Sequence, residues 1–264
     1  MIVERPDLSS RTMLSKSALV QYDLCPSKAW YSIHDPRPVE PNEKMTFGSA
    51  VDAGVEVIVK ALGSGQEADP DRAMDAAAFI VERDGVEVDL EEVDHALRRF
   101  GPEVGPKFDW TGAQTQLSLT ATIDGLGECN GHPDILLGSG VFDVKTAARA
   151  KTLPSVELGF YALLVEAAFH TRVQTVGYIT WVRSSRPYWQ VITEPATDEL
   201  LRWAHARAGS YVRAKSADAT LNTSGEPTNY SFGGGPKFPG LCGDCPYNPA
   251  NGGPCQIAYQ GEVA

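Results

Sequence analysis

Asp134, Asp143 and Lys145 carry the side-chain types that phosphodiester hydrolysis needs, at a spacing that can bring them together. The apolar runs Ile135-Leu136-Leu137 and Val141-Phe142 are split by Gly138-Ser139-Gly140, so the stretch reads as two strands joined by a tight turn. Asp143 and Lys145, two apart, share a strand face, and Val144 between them turns to the core. Converging aspartates repel unless a proton or a hard divalent cation sits between them. An amine beside such a cation can orient or deprotonate a water, or stabilise charge developing on a phosphate.

A helical pattern follows Pro154 through Leu158, Tyr161, Ala162, Leu164 and Val165, and on it Glu157 and Tyr161 share one face, four residues apart. A lone D-x-K tripeptide is common by chance and usually means a surface aspartate and a solvated lysine. The ordered set is rarer.

That set, Pro133-Asp134, then Asp143-Val144-Lys145, then a helix with a polar residue ahead of Tyr161, resembles the PD-(D/E)XK nuclease superfamily, and in particular its RecB-like exonuclease branch. The resemblance implies an α/β fold, a restriction-endonuclease-like core of a mixed central sheet flanked by helices. It implies Asp134, Asp143, Lys145, Glu157 and Tyr161 as catalytic-site residues, with Lys145 assisting the attacking water and Tyr161 helping to hold substrate. Asp52, Asp134, Asp143 and the Val144 carbonyl would hold Mg2+ or Mn2+. In that branch a helix supplies Gly, three residues, then His; here Gly48 is followed at that spacing by Asp52, a hard oxygen ligand suited to magnesium. Glu157 stands where the branch usually has Gln. An acidic group there repels phosphate unless metal or Lys145 offsets it, which suits an outer metal contact.

Five cysteines in a chain expected to be cytosolic point to metal or structural thiols more than to disulfides. Cys242 and Cys245 form a C-x2-C pair with Cys255 ten residues beyond, and Cys25 lies near the N-terminus; thiolate chemistry alone permits zinc, a redox dithiol or iron-sulfur. With the remote first cysteine and Cys-Pro at Cys25 and Cys245, the pattern resembles the iron-sulfur staple of the CRISPR-associated four-type and AddB-type nucleases. That resemblance implies a 4Fe-4S cluster on Cys25, Cys242, Cys245 and Cys255, tying the chain ends together; zinc is the alternative. Cys129 reads as a small core residue.

The rest of the chain must position these groups. At 264 residues with 42% hydrophobic content, it has ample core for one elaborated domain. Residues 1–264 are read as a single nuclease domain, with 66–110 a helical insertion and 1–34 with 216–264 the cluster-binding staple. Ser15 caps one helix carrying Leu19, Tyr22, Cys25, Ala29 and Trp30; Thr46 opens a second that Gly63 closes. Helices are expected over 70–84 and 90–100, and a strand over 114–123. Further strands lie at 173–182 and 188–192, giving a mixed sheet of about five. A helix covers 197–215, followed by a Gly- and Ser-rich loop over 216–240.

The formal charge of -11 argues against tight non-specific duplex binding, yet Lys145 to Lys215 holds ten Lys and Arg against five Asp and Glu. Trp110, Tyr188, Trp189, Tyr230 and Phe232 could stack on unpaired bases, although core packing is the commoner use of such rings. His34 and His95 read as surface residues. No stretch is apolar enough for a membrane span or a secretory signal, so a cytoplasmic protein, or one of host cytoplasm if phage-encoded, is expected. The resemblance implies a DNA exonuclease on single-stranded ends, in repair, recombination or spacer processing. The alternative is a catalytically weak DNA-binding or complex-forming protein with a structural metal site made of the four cysteines.

Overall fold

The computed structural model describes residues 13–221, 239–242 and 245–255. A short strand, β1 (Leu14–Ser15), leads into α1 (Lys16–Leu24), where the Ser15 hydroxyl accepts from the Ala18 N–H at 3.1 Å. The expected single N-terminal helix is two helices. Pro26 disfavours a helical conformation at the preceding residue, so Cys25 is extended (φ -156°) and α2 (Pro26–His34) starts afresh with proline in its first turn. Helix α3 (Glu43–Gly63) begins three residues before Thr46, because the Asn42 side chain accepts from the Met45 N–H. Asp69 and Asp89 cap α4 (Pro70–Asp84) and α5 (Leu90–Val104), and α5 runs on through Pro102.

The expected strand over 114–123 is also two elements. Gln116 adopts φ 50°, a left-handed conformation that ends β2 (Gln114–Thr115) and separates it from β3 (Leu119–Ile123). There follow β4 (Gly127–Gly131), β5 (Ile135–Leu137), β6 (Gly140–Ala147), α6 (Val156–Phe169), β7 (Thr175–Val182), β8 (Tyr188–Pro195) and α7 (Asp198–Leu221). Helix α7 overruns the loop expected from residue 216. Asp218 is held inside it by the Trp30 indole N–H at 2.7 Å and by His34 Nε2 at 2.8 Å. Residues 222–238 of that loop, with Tyr230 and Phe232, lie outside the described residues.

Two sheets form. The expected mixed sheet has five strands in the order β2-β5-β6-β7-β8, with β6 and β7 parallel and the other pairs antiparallel. A second sheet of three strands, β1-β4-β3, is not legible as such in the sequence, and Cys129 is buried on its central strand. The chain divides into two compact units, the first drawn from the described parts of Met1–Pro38, Thr120–Gly131 and Arg202–Ala264, the second from Val39–Leu119 and His132–Leu201. In the second unit, Phe142, Val144, Ile179 and Trp181 of the sheet pack against Phe47, Val51 and Val55 of α3 and Leu97 and Phe100 of α5. Among the described residues no helix is long and apolar enough to cross a membrane.

Candidate functional site

Strand β6 sorts its residues by parity. Phe142 and Val144 enter the apolar core, while Asp143 and Lys145 face the other way. Asp143 is completely buried and pairs with the Lys145 ammonium. Lys145 also lies 3.4 Å from Glu157, in the first turn of α6, where the helix dipole favours an acidic group. Glu157 in turn accepts from the Tyr178 hydroxyl at 3.0 Å, and Ser155 lies 2.6 Å from that same hydroxyl.

Asp134 arrives where strand pairing stops. The β5–β6 ladder ends at Ile135 and Phe142, and the Asp134 carboxylate continues it by accepting the Val144 N–H at 2.7 Å. The N–H and C=O of one strand residue point to the same edge, so the Val144 carbonyl faces this side too. Tyr161 is buried, and its hydroxyl donates to the His132 carbonyl at 2.7 Å, bracing the turn that carries Asp134. Asp52 comes from α3. That helix can approach β6 because Gly48 has no Cβ; one added there would meet the Thr146 hydroxyl at 3.1 Å.

Sequence reasoning does not single out Gln116. Its side-chain amide donates to Asp52 at 2.9 Å, while its backbone N–H donates to the Asp134 carbonyl at 3.0 Å. It sits inside an alternating pattern with no glycine or asparagine to flag the turn. Tyr178 and Ser155 escape notice likewise, since both read as ordinary strand and loop residues.

The charges are in conflict. Burial pushes Asp52 up to about 6, helped by the Asp143 charge and resisted by Lys145. Burial also pushes Asp134 up to about 6, with the Asp52 charge adding and Lys145 opposing. For Lys145, burial alone would favour the neutral amine, but Asp143, Glu157 and Asp134 outweigh it and raise its pKa. The amine therefore stays charged, which disfavours the expected role of deprotonating a water. Burial, with the same carboxylates, raises Tyr161, and burial with Glu157 raises Tyr178, so both phenols stay neutral. Three hard-oxygen carboxylates that destabilise one another as anions suit a divalent cation in donor chemistry. Among the described residues, however, no group of three or more His, Cys, Asp or Glu side chains is gathered as a ready-made metal site.

All four expected cluster cysteines lie within the first unit. Burial raises the Cys25 thiol, and Cys255, Cys245 and Cys242 are near enough to raise it further against the Lys28 N–H. Tyr31 of α2 donates to the Pro254 carbonyl at 3.1 Å and stacks on Tyr247 with centroids 5.2 Å apart. Arg37 donates to the Pro246 carbonyl at 2.9 Å. A tetrathiolate donor set fits iron-sulfur or zinc, although these sulphurs too are not drawn together into a chelating group.

Other expectations resolve differently. Trp110 and Trp189 are core residues and do not present stacking faces, whereas Tyr188 is 40% exposed. His34 is half-buried and tied to Asp218, whereas His95 is exposed as expected, 3.3 Å from Arg99. The basic excess after Lys145 is partly cancelled. Arg172 pairs with Glu166 and Asp198, Arg183 with Glu43 and Glu92, and Arg207 with Asp23.

Several solved structures resemble the chain at low identity. A candidate exonuclease from Eubacterium rectale is 11% identical with a TM-score of 0.48, over 79% of this chain and 83% of that one. The protein SSO0001 is 15% identical with a TM-score of 0.41, over 94% and 88%. LHK-Exo, solved in complex with dAMP, is 12% identical with a TM-score of 0.26, over 65% and 97%. No curated protein matches. The family model of the PD-(D/E)XK nuclease superfamily matches residues 13–250, a span that holds the Asp134, Asp143 and Lys145 constellation, and the chain belongs to that superfamily.

Proposed function

We propose that this protein is a metal-dependent DNA exonuclease of the RecB-like branch, acting on single-stranded ends. The observation that carries this reading is the pairing of the buried Asp143 with Lys145 beside Asp134, whose carboxylate takes the Val144 N–H, in a chain of this superfamily. Asp52, Asp134, Asp143 and the Val144 carbonyl would hold Mg2+ or Mn2+, which when bound polarises a phosphate and acidifies a water. Lys145, kept charged, stabilises negative charge on the phosphate. Glu157 fixes the lysine from its far side, and Tyr161 holds the Asp134 turn in place instead of reaching substrate.

In this reading the whole chain is one nuclease, with 66–110 an insertion. Residues 1–34 and 216–264 form a staple in which Cys25, Cys242, Cys245 and Cys255 carry a 4Fe-4S cluster. Repair, recombination and spacer processing, in the cytoplasm of a cell or of a phage's host, all use such an activity. A second reading, a nucleic-acid-binding protein with weak catalysis, is favoured by the engagement of Lys145 with both Asp143 and Glu157.

The test is manganese-dependent release of nucleotides from a labelled single strand. Asp143→Ala is expected to lower it by about a thousandfold or more. DNA binding without cleavage in any divalent metal overturns the exonuclease and leaves the second reading. On the same anaerobically purified protein, a broad brown absorption with about four irons per chain supports the cluster. A colourless protein with one zinc overturns it.

A further inference from the structure

The loop over 148–155, between β6 and α6, is fastened by an unusual clamp. The Lys151 N–H donates to Gln190 Oε1 at 2.7 Å, and Gln190 Nε2 donates to the Lys151 carbonyl at 3.1 Å. A side chain of β8 thus gives one loop residue the pair of bonds that a neighbouring strand would supply. The strand register places Lys145, Thr180 and Gln190 side by side across β6, β7 and β8, on the face that carries Asp143. The clamp therefore fixes the loop to the row of the candidate site.

The clamp also aims a charge. Lys151 Nζ stands 5.6 Å from the ring centroid of Tyr178, the residue whose hydroxyl donates to Glu157. Arg149, two residues earlier, is exposed. Among the described residues neither Arg149 nor Lys151 has an acidic partner, in contrast to Lys145, Arg172, Arg183 and Arg207. In the same row, the Thr180 hydroxyl is fully buried and has no hydrogen-bond partner among the described residues. An ordinary solvated loop does not need both backbone groups of one lysine fixed, because water satisfies them.

We propose that this loop is a phosphate strap. Lys151 and Arg149 take backbone phosphates of the bound strand beside the scissile one, and Gln190 is the positioning residue that holds them there. The inference deepens the nuclease reading and rests on it.

Each cation that engages a phosphate of a single strand adds about 0.7 to the steepness of log affinity against log salt. The probe is a labelled oligothymidylate with phosphorothioate linkages, which resists hydrolysis, bound to the full chain in magnesium. Lys151→Ala and Arg149→Ala are each expected to make that plot shallower by about 0.7 and to weaken binding by up to about fivefold at low salt. Gln190→Glu, which keeps the acceptor for the Lys151 N–H and removes the donor, is expected to weaken binding in the wild-type background. It is expected to add nothing once Arg149 and Lys151 are both alanine. Unchanged salt dependence in both Lys151→Ala and Arg149→Ala, with cleavage of ordinary DNA by the unmodified chain intact, overturns the strap alone. No cleavage and no binding by the unmodified chain overturns the nuclease reading and the strap with it.

Discussion

The carboxylate region and the thiol region are held by opposite means. Asp143 and Lys145 are fixed by the register of β6 on β7, so regular backbone pairing sets their positions while the carboxylates of Asp52, Asp134 and Asp143 strain against one another. The cysteines sit on short loop pieces, and side chains hold the backbone there: Asn248 donates to the Cys242 carbonyl at 2.8 Å and Asn251 to the Cys245 carbonyl at 3.0 Å. The first region keeps its geometry and carries an electrostatic cost that a divalent cation would relieve. Among the described residues the second holds only short turns and helical pieces, and it would gain most from a cross-link.

The largest expected effect breaks the first region. Lys145→Met leaves Asp143 fully buried without its ammonium, a change of about 3–5 kcal/mol when one partner of a buried ion pair is removed. The urea midpoint at pH 7.5 is expected to fall accordingly. At pH 5 part of the loss is expected to return, because a proton can replace the missing charge. Equal losses at both pH values contradict the electrostatic account.

A middle-sized effect separates the charges from the scaffold. Asp52 and Asp134 are both pushed up to about 6, so the folded protein binds protons more tightly than the unfolded chain across that window. Their contribution to stability is present below about pH 4, the ordinary carboxylate value, and is lost as pH rises through about 6. Manganese at roughly 100 times its Kd is expected to raise the Tm by about 5–10 °C at pH 7.5. At pH 5, where protons compete for the same oxygens, the rise is expected to be well under half of that. A shift that ignores pH places the metal away from these carboxylates.

How much of this is legible in the sequence follows from the same contrast. The Asp134, Asp143 and Lys145 set and the β5–β6 turn are readable, since strand parity and a glycine turn are local signals. Asp52 can be proposed only from its distance after Gly48, and its approach to the site depends on how closely α3 packs on β6. Gln116 and Gln190 are illegible, because each acts through a partner far away in sequence: Asp52 for one, the Lys151 backbone for the other. The break at Cys25 is written in Pro26 and is easily overlooked, because apolar spacing runs through it. The three-stranded sheet is hidden for another reason: β1 is two residues long and pairs in parallel with a strand over a hundred residues away.

The smallest effect sharpens the comparison most. Tyr161→Phe and Tyr31→Phe each delete one hydroxyl that donates to a backbone carbonyl, at 2.7 Å to His132 and at 3.1 Å to Pro254. Each change is on the order of 1 kcal/mol. In the sheet-bound region that loss is shared by the whole cooperative unit, so Tyr161→Phe is expected to lower the Tm by about 2–4 °C. In the thiol region the loss falls on a local opening, because the described backbone bonds of 245–255 close turns within the segment itself and join it to no sheet. Tyr31→Phe is therefore expected to leave the Tm within about 1 °C while cysteine alkylation in metal-stripped protein speeds up about fivefold, the same free energy expressed as a larger open population. If both variants lower the Tm alike and neither changes alkylation, the two regions unfold as one, and the thiol segment does not need a cross-link to stay in place.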